Sequence, residues 1–154
     1  MHPDLEALAM LVGTWEGRGH GEYPTIDPFD YDERVRFADT GKRFLVYQQR
    51  TTDSVTGDPL HVESGYWRPS PPDRVEVVVS HPTGHAEVSE GFVSPGRIEL
   101  RSVAVNHTTT AKRVDAVERI ITVDGDTLRY AMWMAAVGEP LTQHLSAELA
   151  RVDE

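Results

Sequence analysis

The chain contains no cysteine, so it carries neither a disulfide framework nor a thiolate metal site, and nothing in cysteine usage points to an oxidising compartment. Positive charge is also scarce: 15 Lys and Arg stand against 25 Asp and Glu, for a net charge of -10 at pH 7. That balance argues against a nucleic-acid partner, which needs a cationic surface to replace counterions along the phosphate backbone. It does not exclude an anionic ligand in a pocket, because screening limits the reach of the average field to about 8–10 Å. Long hydrophobic runs are missing too. The longest, Ala7 to Val12 and Ala131 to Val137, fall far short of the roughly 20 apolar residues of a membrane helix. Met1 to Val12 lacks the basic n-region of a secretory signal. The expectation is a soluble, cytoplasmic protein with no membrane partner. At 154 residues it is expected to form one domain over residues 1–154, large enough to enclose a cavity.

What is present, first of all, is glycine around a tryptophan. The segment GTWEGRGHGEYPTI, from Gly13 to Ile26, places Gly13, Gly17, Gly19 and Gly21 about Trp15. Glycine weakens a strand, so such a cluster marks sharp bending or close backbone approach. Both suit a small closed barrel. Trp15 offers a large apolar plug for one end of it, with an indole N–H that needs a partner. A phosphate-binding glycine loop is the competing reading, but that motif follows a strand and opens a helix. Here the glycines follow a helix-like segment and lead to Pro24 and Pro28.

Upstream, Pro3, Asp4 and Glu6 suit the first turn of a short helix, with Leu5, Leu8 and Val12 on one face and Gly13 as its stop. Downstream, runs rich in Val, Ile, Thr, Tyr, Phe and Trp alternate with turn chemistry such as Thr40-Gly41, Pro82-Thr83-Gly84 and Asp124-Gly125-Asp126. They predict about ten strands, the first over Thr14 to Gly21 and the last over Leu141 to Val152. Connections this short make neighbours antiparallel. Glu22 to Asp30 reads as a longer, proline-anchored loop, a lid or portal. The expected fold is all-β, an antiparallel up-and-down β-barrel of about ten strands with a short N-terminal helix. A two-sheet sandwich is the alternative arrangement.

Seven histidines are the natural place to look for metal chemistry. His2 is expected to be disordered at the terminus, His20 lies in the glycine strand, and His107 adjoins a threonine-rich loop. His61, His81, His85 and His144 sit on or beside predicted strands, yet no H-x-H pair, H-E-x-x-H run or carboxylate pairing gives zinc-ligand spacing. No multi-histidine metal centre is expected. Ser64, Ser80 and Ser146 lack a nucleophile-elbow setting, and the glutamates form no recognisable acid–base pair. The last segment, PLTQHLSAELARV, fits both a helical stripe of Leu141, Leu145, Leu149 and Val152 and a strand. As a strand, alternation places Leu145, Ala147 and Leu149 on one face and His144, Ser146 and Glu148 on the other. His144 then faces the interior or solvent according to which face is inward.

GTWEGRG with GEYPTI, then PLHVESGYWR from Pro59, TAKRV from Thr110 and PLTQHLSAEL together resemble the nitrobindin family over nearly the whole chain. Its signature glycines and tryptophan correspond to Gly13, Trp15, Gly17 and Gly19. The resemblance implies a haem-binding barrel similar in shape to lipocalins and fatty-acid-binding proteins, acting as a peroxynitrite isomerase. It implies that His144 is the axial ligand of a b-type haem and the catalytic residue, with the opposite position of the iron open. Thr25 and Lys112 match haem-binding positions, though Lys112 is equally readable as a solvated charge at a strand start. His61 and Met134 match pocket-lining positions, and His81 stands where relatives differ. Ferric iron would act as a Lewis acid, converting peroxynitrite to nitrate, and the same open site would bind nitric oxide. The alternatives are a non-enzymatic carrier or sensor of haem or nitric oxide, and a lipocalin-like carrier of a small apolar ligand. An exposed barrel face leaves room for a homodimer, although no residue requires one.

Overall fold

Pro3 has no N–H to leave unpaired and so suits a first helical turn. In the computed structural model, which describes residues 1–153, a 3-10 helix spans Pro3–Leu11. His2 is its cap and not a disordered terminus: its Nδ1 accepts the Asp4 N–H at 3.2 Å. The tighter helix has three residues per turn, so the buried face is Leu5, Leu8 and Leu11, with Leu11 replacing the expected Val12. Burying each leucine stabilises the end of the barrel by about 1.5–3 kcal/mol. Gly13 ends the helix at φ 130°, a backbone conformation that a side chain would strain.

Ten strands follow: β1 (Gly13–Tyr23), β2 (Ile26–Asp39), β3 (Leu45–Asp53), β4 (Pro59–Ser70), β5 (Arg74–His81), β6 (His85–Ser94), β7 (Arg97–His107), β8 (Val114–Asp124), β9 (Thr127–Ala136) and β10 (Thr142–Val152). Each pairs antiparallel with its sequence neighbours, and β1 pairs with β10 to close the barrel. Closure excludes the sandwich.

Three sequence expectations need correcting. Glu22 to Asp30 is not a long loop or lid. Only Pro24 and Thr25 turn the chain, and β2 starts at Ile26, with Tyr23 opposite Ile26 and Gly21 opposite Phe29. Pro28 is tolerated because β2 pairs with β3 only from Tyr31 onward, so its missing N–H faces no partner strand. The third and eighth strands, which the residue pattern places at Lys42 to Thr52 and Lys112 to Val123, start at Leu45 and Val114, which leaves Lys112 in the preceding connection.

The glycines of β1 face inward and admit neighbours. A Cβ on Gly19 would lie 2.2 Å from the Tyr31 ring, one on Gly21 2.3 Å from the Phe29 ring, and one on Gly17 2.1 Å from the Glu148 carbonyl oxygen. Trp15 fills the helix end of the barrel as expected. It is fully buried, its Nε1 donates to the Leu11 carbonyl at 2.8 Å, and the Arg151 guanidinium lies 4.1 Å over its ring. Arg151 also donates to the Met10 and Val12 carbonyls, tying helix to barrel. The core therefore has two parts. One, around Trp15, Phe37, Leu45, Trp67 and the helix leucines, closes the floor. The other, around Tyr23, Val114, Val117, Met132 and Ala136, borders the opposite end.

Candidate functional site

At the end away from the helix, the barrel holds a cavity of about 640 Å³, within the roughly 300–1,000 Å³ of small-molecule sites. Ile26, Phe29, Val114, Val117, Met132 and Leu145 make much of it apolar. β7 and β8 pair only between Arg97–Arg101 and Glu118–Thr122, so beyond Ser102 the wall beside the cavity is loosened. There the Val117 N–H bonds the Ser102 hydroxyl at 3.0 Å in place of a ladder partner.

His144 reaches the cavity by an irregularity. In β10, Gln143 pairs with Trp133 and Leu145 with Met132, so His144 is an extra residue between consecutive rungs. A bulge of this kind re-aims a side chain, and both His144 and Leu145 line the cavity. The His144 Nδ1–H donates to the Glu22 carbonyl at 3.0 Å. No hydrogen bond among the described residues engages Nε2, so the bond at Nδ1 leaves an imidazole lone pair free for a ligand. Tyr23 meets the ring edge-on at 5.3 Å and Phe29 at 6.5 Å. Burial lowers the His144 pKa, which favours the neutral, ligating form.

The other expected positions converge on the same cavity. Met134 is half-buried in its wall, while Thr25 and Lys112 are exposed at its rim, beside Arg113. His61 and His81 also line it. Counting around the closed barrel, β5 is the fifth strand from β10 in either direction. The two histidines, on β4 and β5, thus stand across the barrel from His144.

Behind them lies a buried polar network that sequence reasoning missed. His81 Nε2 contacts Glu87 Oε1 at 2.8 Å. Arg119 grips Glu87 with two bonds of 2.7 and 2.8 Å, and the Ser89 hydroxyl adds a third donor at 2.9 Å. Tyr47 donates to Glu63 Oε2 at 2.7 Å. Burial would raise the Glu63 carboxyl, but the Arg119 charge and the neighbouring histidines outweigh it and hold its pKa at about 2. Glu87, likewise resisted by burial, is held well below the usual carboxylate range by Arg119. His85 stacks on His81 with centroids 4.0 Å apart, and burial lowers its pKa to about 4. His107 sits at the end of β7, where its Nε2 accepts the Val114 N–H at 2.9 Å.

Spacing along the chain signals no multi-histidine metal centre, yet strand pairing brings His61, Glu63 and His81 together. Alternation along β4 puts His61 and Glu63 on one face, and one residue past the Ser64–Ser80 rung, β5 brings His81 beside Glu63. The available signal was an H-x-E alternation opposite a histidine at a hairpin partner position. It is visible only once register is known.

Comparisons with known proteins agree with this geometry. A family model described as "THAP4-like, heme-binding beta-barrel domain" matches residues 4–151. A protein from Nocardia farcinica named peroxynitrite isomerase is 49% identical over 155 residues, covering 98% of this chain and 92% of the relative. Peroxynitrite isomerase 2 of Mycobacterium avium is 50% identical, with 98% and 96% covered. The crystal structure of Rv2717c from M. tuberculosis superposes with a TM-score of 0.93 at 45% identity, covering 99% of each chain.

Proposed function

The chain belongs to the family of THAP4-like heme-binding β-barrel domains, and from that premise we propose that it isomerises peroxynitrite to nitrate at a ferric b-type haem. One observation carries the reading: a half-buried imidazole on the cavity wall whose Nδ1 is fixed by a backbone carbonyl and whose Nε2 is free. The residues fit the group. A largely apolar cavity suits the porphyrin faces, and Lys112, Arg113 and the Thr25 hydroxyl at the rim suit its propionates. When bound, ferric haem would supply a Lewis-acidic iron suited to rearranging peroxynitrite and to binding nitric oxide.

The chain's own work is positional. His144 would hold the iron through Nε2, and its bond to the Glu22 carbonyl fixes the tautomer and would raise the ligand's basicity. Tyr23 and Phe29 hold the ring edge-on. Met134 lines the same cavity, and the apolar wall would keep water from a bound anion. His61 lines the facing wall without serving as the axial ligand.

Adding ferric haem to the purified full-length chain should produce a Soret band, and His144→Ala should weaken haem affinity at least about tenfold and change the spectrum. An unchanged spectrum and affinity in that variant would remove the axial role. With haem loaded, stopped-flow mixing should show faster peroxynitrite decay with a higher nitrate yield. Decay no faster than buffer, at full loading, would leave a carrier and not an isomerase.

A further inference from the structure

We propose that His61, Glu63 and His81 form a second site in the barrel, one that binds a divalent first-row transition metal ion. The inference does not rest on the haem reading, because none of these three residues is an axial ligand in it.

The argument begins with a triangle of donor atoms. His61 Nε2 and His81 Nδ1 are 3.1 Å apart. Glu63 Oε1 lies 3.5 Å from the first and 3.6 Å from the second. Nitrogen and oxygen ligands about 2.0–2.2 Å from one ion at tetrahedral angles are separated by about 3.3–3.6 Å. Two edges of the triangle fall in that range and the third is slightly short, so an ion needs little more than a small parting of the two imidazoles.

The position of Glu63 Oε1 is a separate observation. A buried carboxylate oxygen paired with a cation normally sits about 2.7–2.9 Å from its donor. Here Oε1 stands 3.5–3.6 Å from both imidazoles and 3.5 Å from Arg119 Nη2, on a side chain only 8% exposed. It lies near three nitrogen atoms and is tightly bound by none of them, whereas its other oxygen is fixed by Tyr47 at 2.7 Å. A shared ion in front of Oε1 accounts for that spacing better than any of the three long contacts.

The outer contacts are those a metal ligand set needs. His81 gives its Nε2–H to Glu87 at 2.8 Å, which turns the Nδ1 lone pair toward the triangle, and a carboxylate behind a ligating histidine fixes the ring and raises its basicity. Arg119 and Ser89 immobilise that carboxylate in turn. Two buried carboxylates against one guanidinium leave the network one negative charge in excess, which a divalent cation offsets. Two imidazoles and one carboxylate select zinc, iron or cobalt over magnesium or calcium, which prefer all-oxygen shells. Three protein ligands facing a cavity leave a position open for an exogenous ligand, the pattern of reactive rather than structural divalent sites.

In the metal-free chain the short His61–His81 contact requires one proton between the two nitrogens. Binding needs that proton moved off His61 Nε2, which the other ring nitrogen can take up.

The test titrates the haem-free, full-length chain with Zn2+ by calorimetry and with Co2+ by visible absorption. The expected result is one ion per chain and the intense visible bands of a tetrahedral Co2+ centre. His61→Ala, at a half-buried position, should weaken affinity by at least about tenfold, as should Glu63→Gln. His144→Ala and the surface variant His20→Ala should leave it unchanged. Absence of binding, or binding that survives His61→Ala and Glu63→Gln, overturns the site. Loss of binding in His20→Ala would place the ion on the surface and overturn it equally. Because His144→Ala should weaken haem binding but not metal binding, failure of one reading is distinguishable from failure of the other.

Discussion

Tyr23 joins two jobs in one side chain. Its hydroxyl accepts the buried Ala136 N–H at 3.0 Å and donates to the Met134 carbonyl at 2.9 Å, pinning the end of β9, while its ring edge steadies His144. The glycines of β1 work by what they omit. Gly17 lies against backbone and not against a movable side chain, with the place of its Cβ 2.1 Å from the Glu148 carbonyl oxygen. Gly17→Ala must therefore push β1 from β10 at the seam that closes the barrel. It should lower stability by roughly 1–3 kcal/mol, read as a fall in the urea midpoint; a midpoint within error of the parent chain would show that the seam yields without cost. At this scale the sequence was legible where a residue type is rare in its setting. Four glycines about one tryptophan announced close approach, and the indole N–H announced a partner. The network of Glu63, Glu87 and Arg119 was not legible, because a charged residue in an alternating strand looks the same whether it faces water or another charge across the barrel.

Among the elements, β10 decides whether the site exists. Strict alternation puts His144 and Leu145 on opposite faces, yet both border the cavity because one residue more than the ladder needs is present between Gln143 and Leu145. Periodicity could not settle the direction of His144, since a bulge leaves no mark in the hydrophobic pattern when its flanks keep their alternation. Removing the extra residue gives a direct test. Deleting Gln143 moves His144 into the rung opposite Trp133, where the side chain points outward. The variant should keep the far-ultraviolet dichroism of a barrel and lose haem affinity to the level of His144→Ala. Tight haem binding in the deletion variant would show that the bulge does not aim the ligand. The other elements were legible in number and order, because each short turn carries glycine, proline or aspartate. Their ends were not. The first hairpin was mistaken for a loop because Pro24 and Pro28 look like loop chemistry until one sees that Pro28 lies where β2 has no neighbour on its β3 side.

The whole molecule is a barrel with a dry floor, a polar belt and an open end, and the belt makes its stability depend on pH. Glu33 is buried beside Gln49, which donates to its Oε2 at 2.7 Å, but Oε1 has no hydrogen-bond partner among the described residues. Burial raises its pKa from 4.5 to about 7. Between those values the folded protein keeps a proton that the unfolded chain has released. The contribution of Glu33 is thus complete below pH 4.5 and is lost as pH rises through about 7. The loss amounts to roughly 3 kcal/mol. Glu63 acts in the opposite sense, since its depressed pKa gives stability that disappears only as pH falls through about 2. His85, lowered to about 4, likewise contributes above its unfolded pKa and loses that contribution toward acid. Both remain in a Glu33→Gln variant, which keeps the size and hydrogen-bonding capacity of the side chain without its charge. The difference between variant and parent therefore isolates Glu33. Urea unfolding at about pH 5 and about pH 8 should show the parent losing stability relative to Glu33→Gln on the alkaline side, by up to about 3 kcal/mol. Parallel pH profiles for the two proteins would mean that Glu33 is solvated in the folded barrel, and that water reaches the belt beneath the cavity.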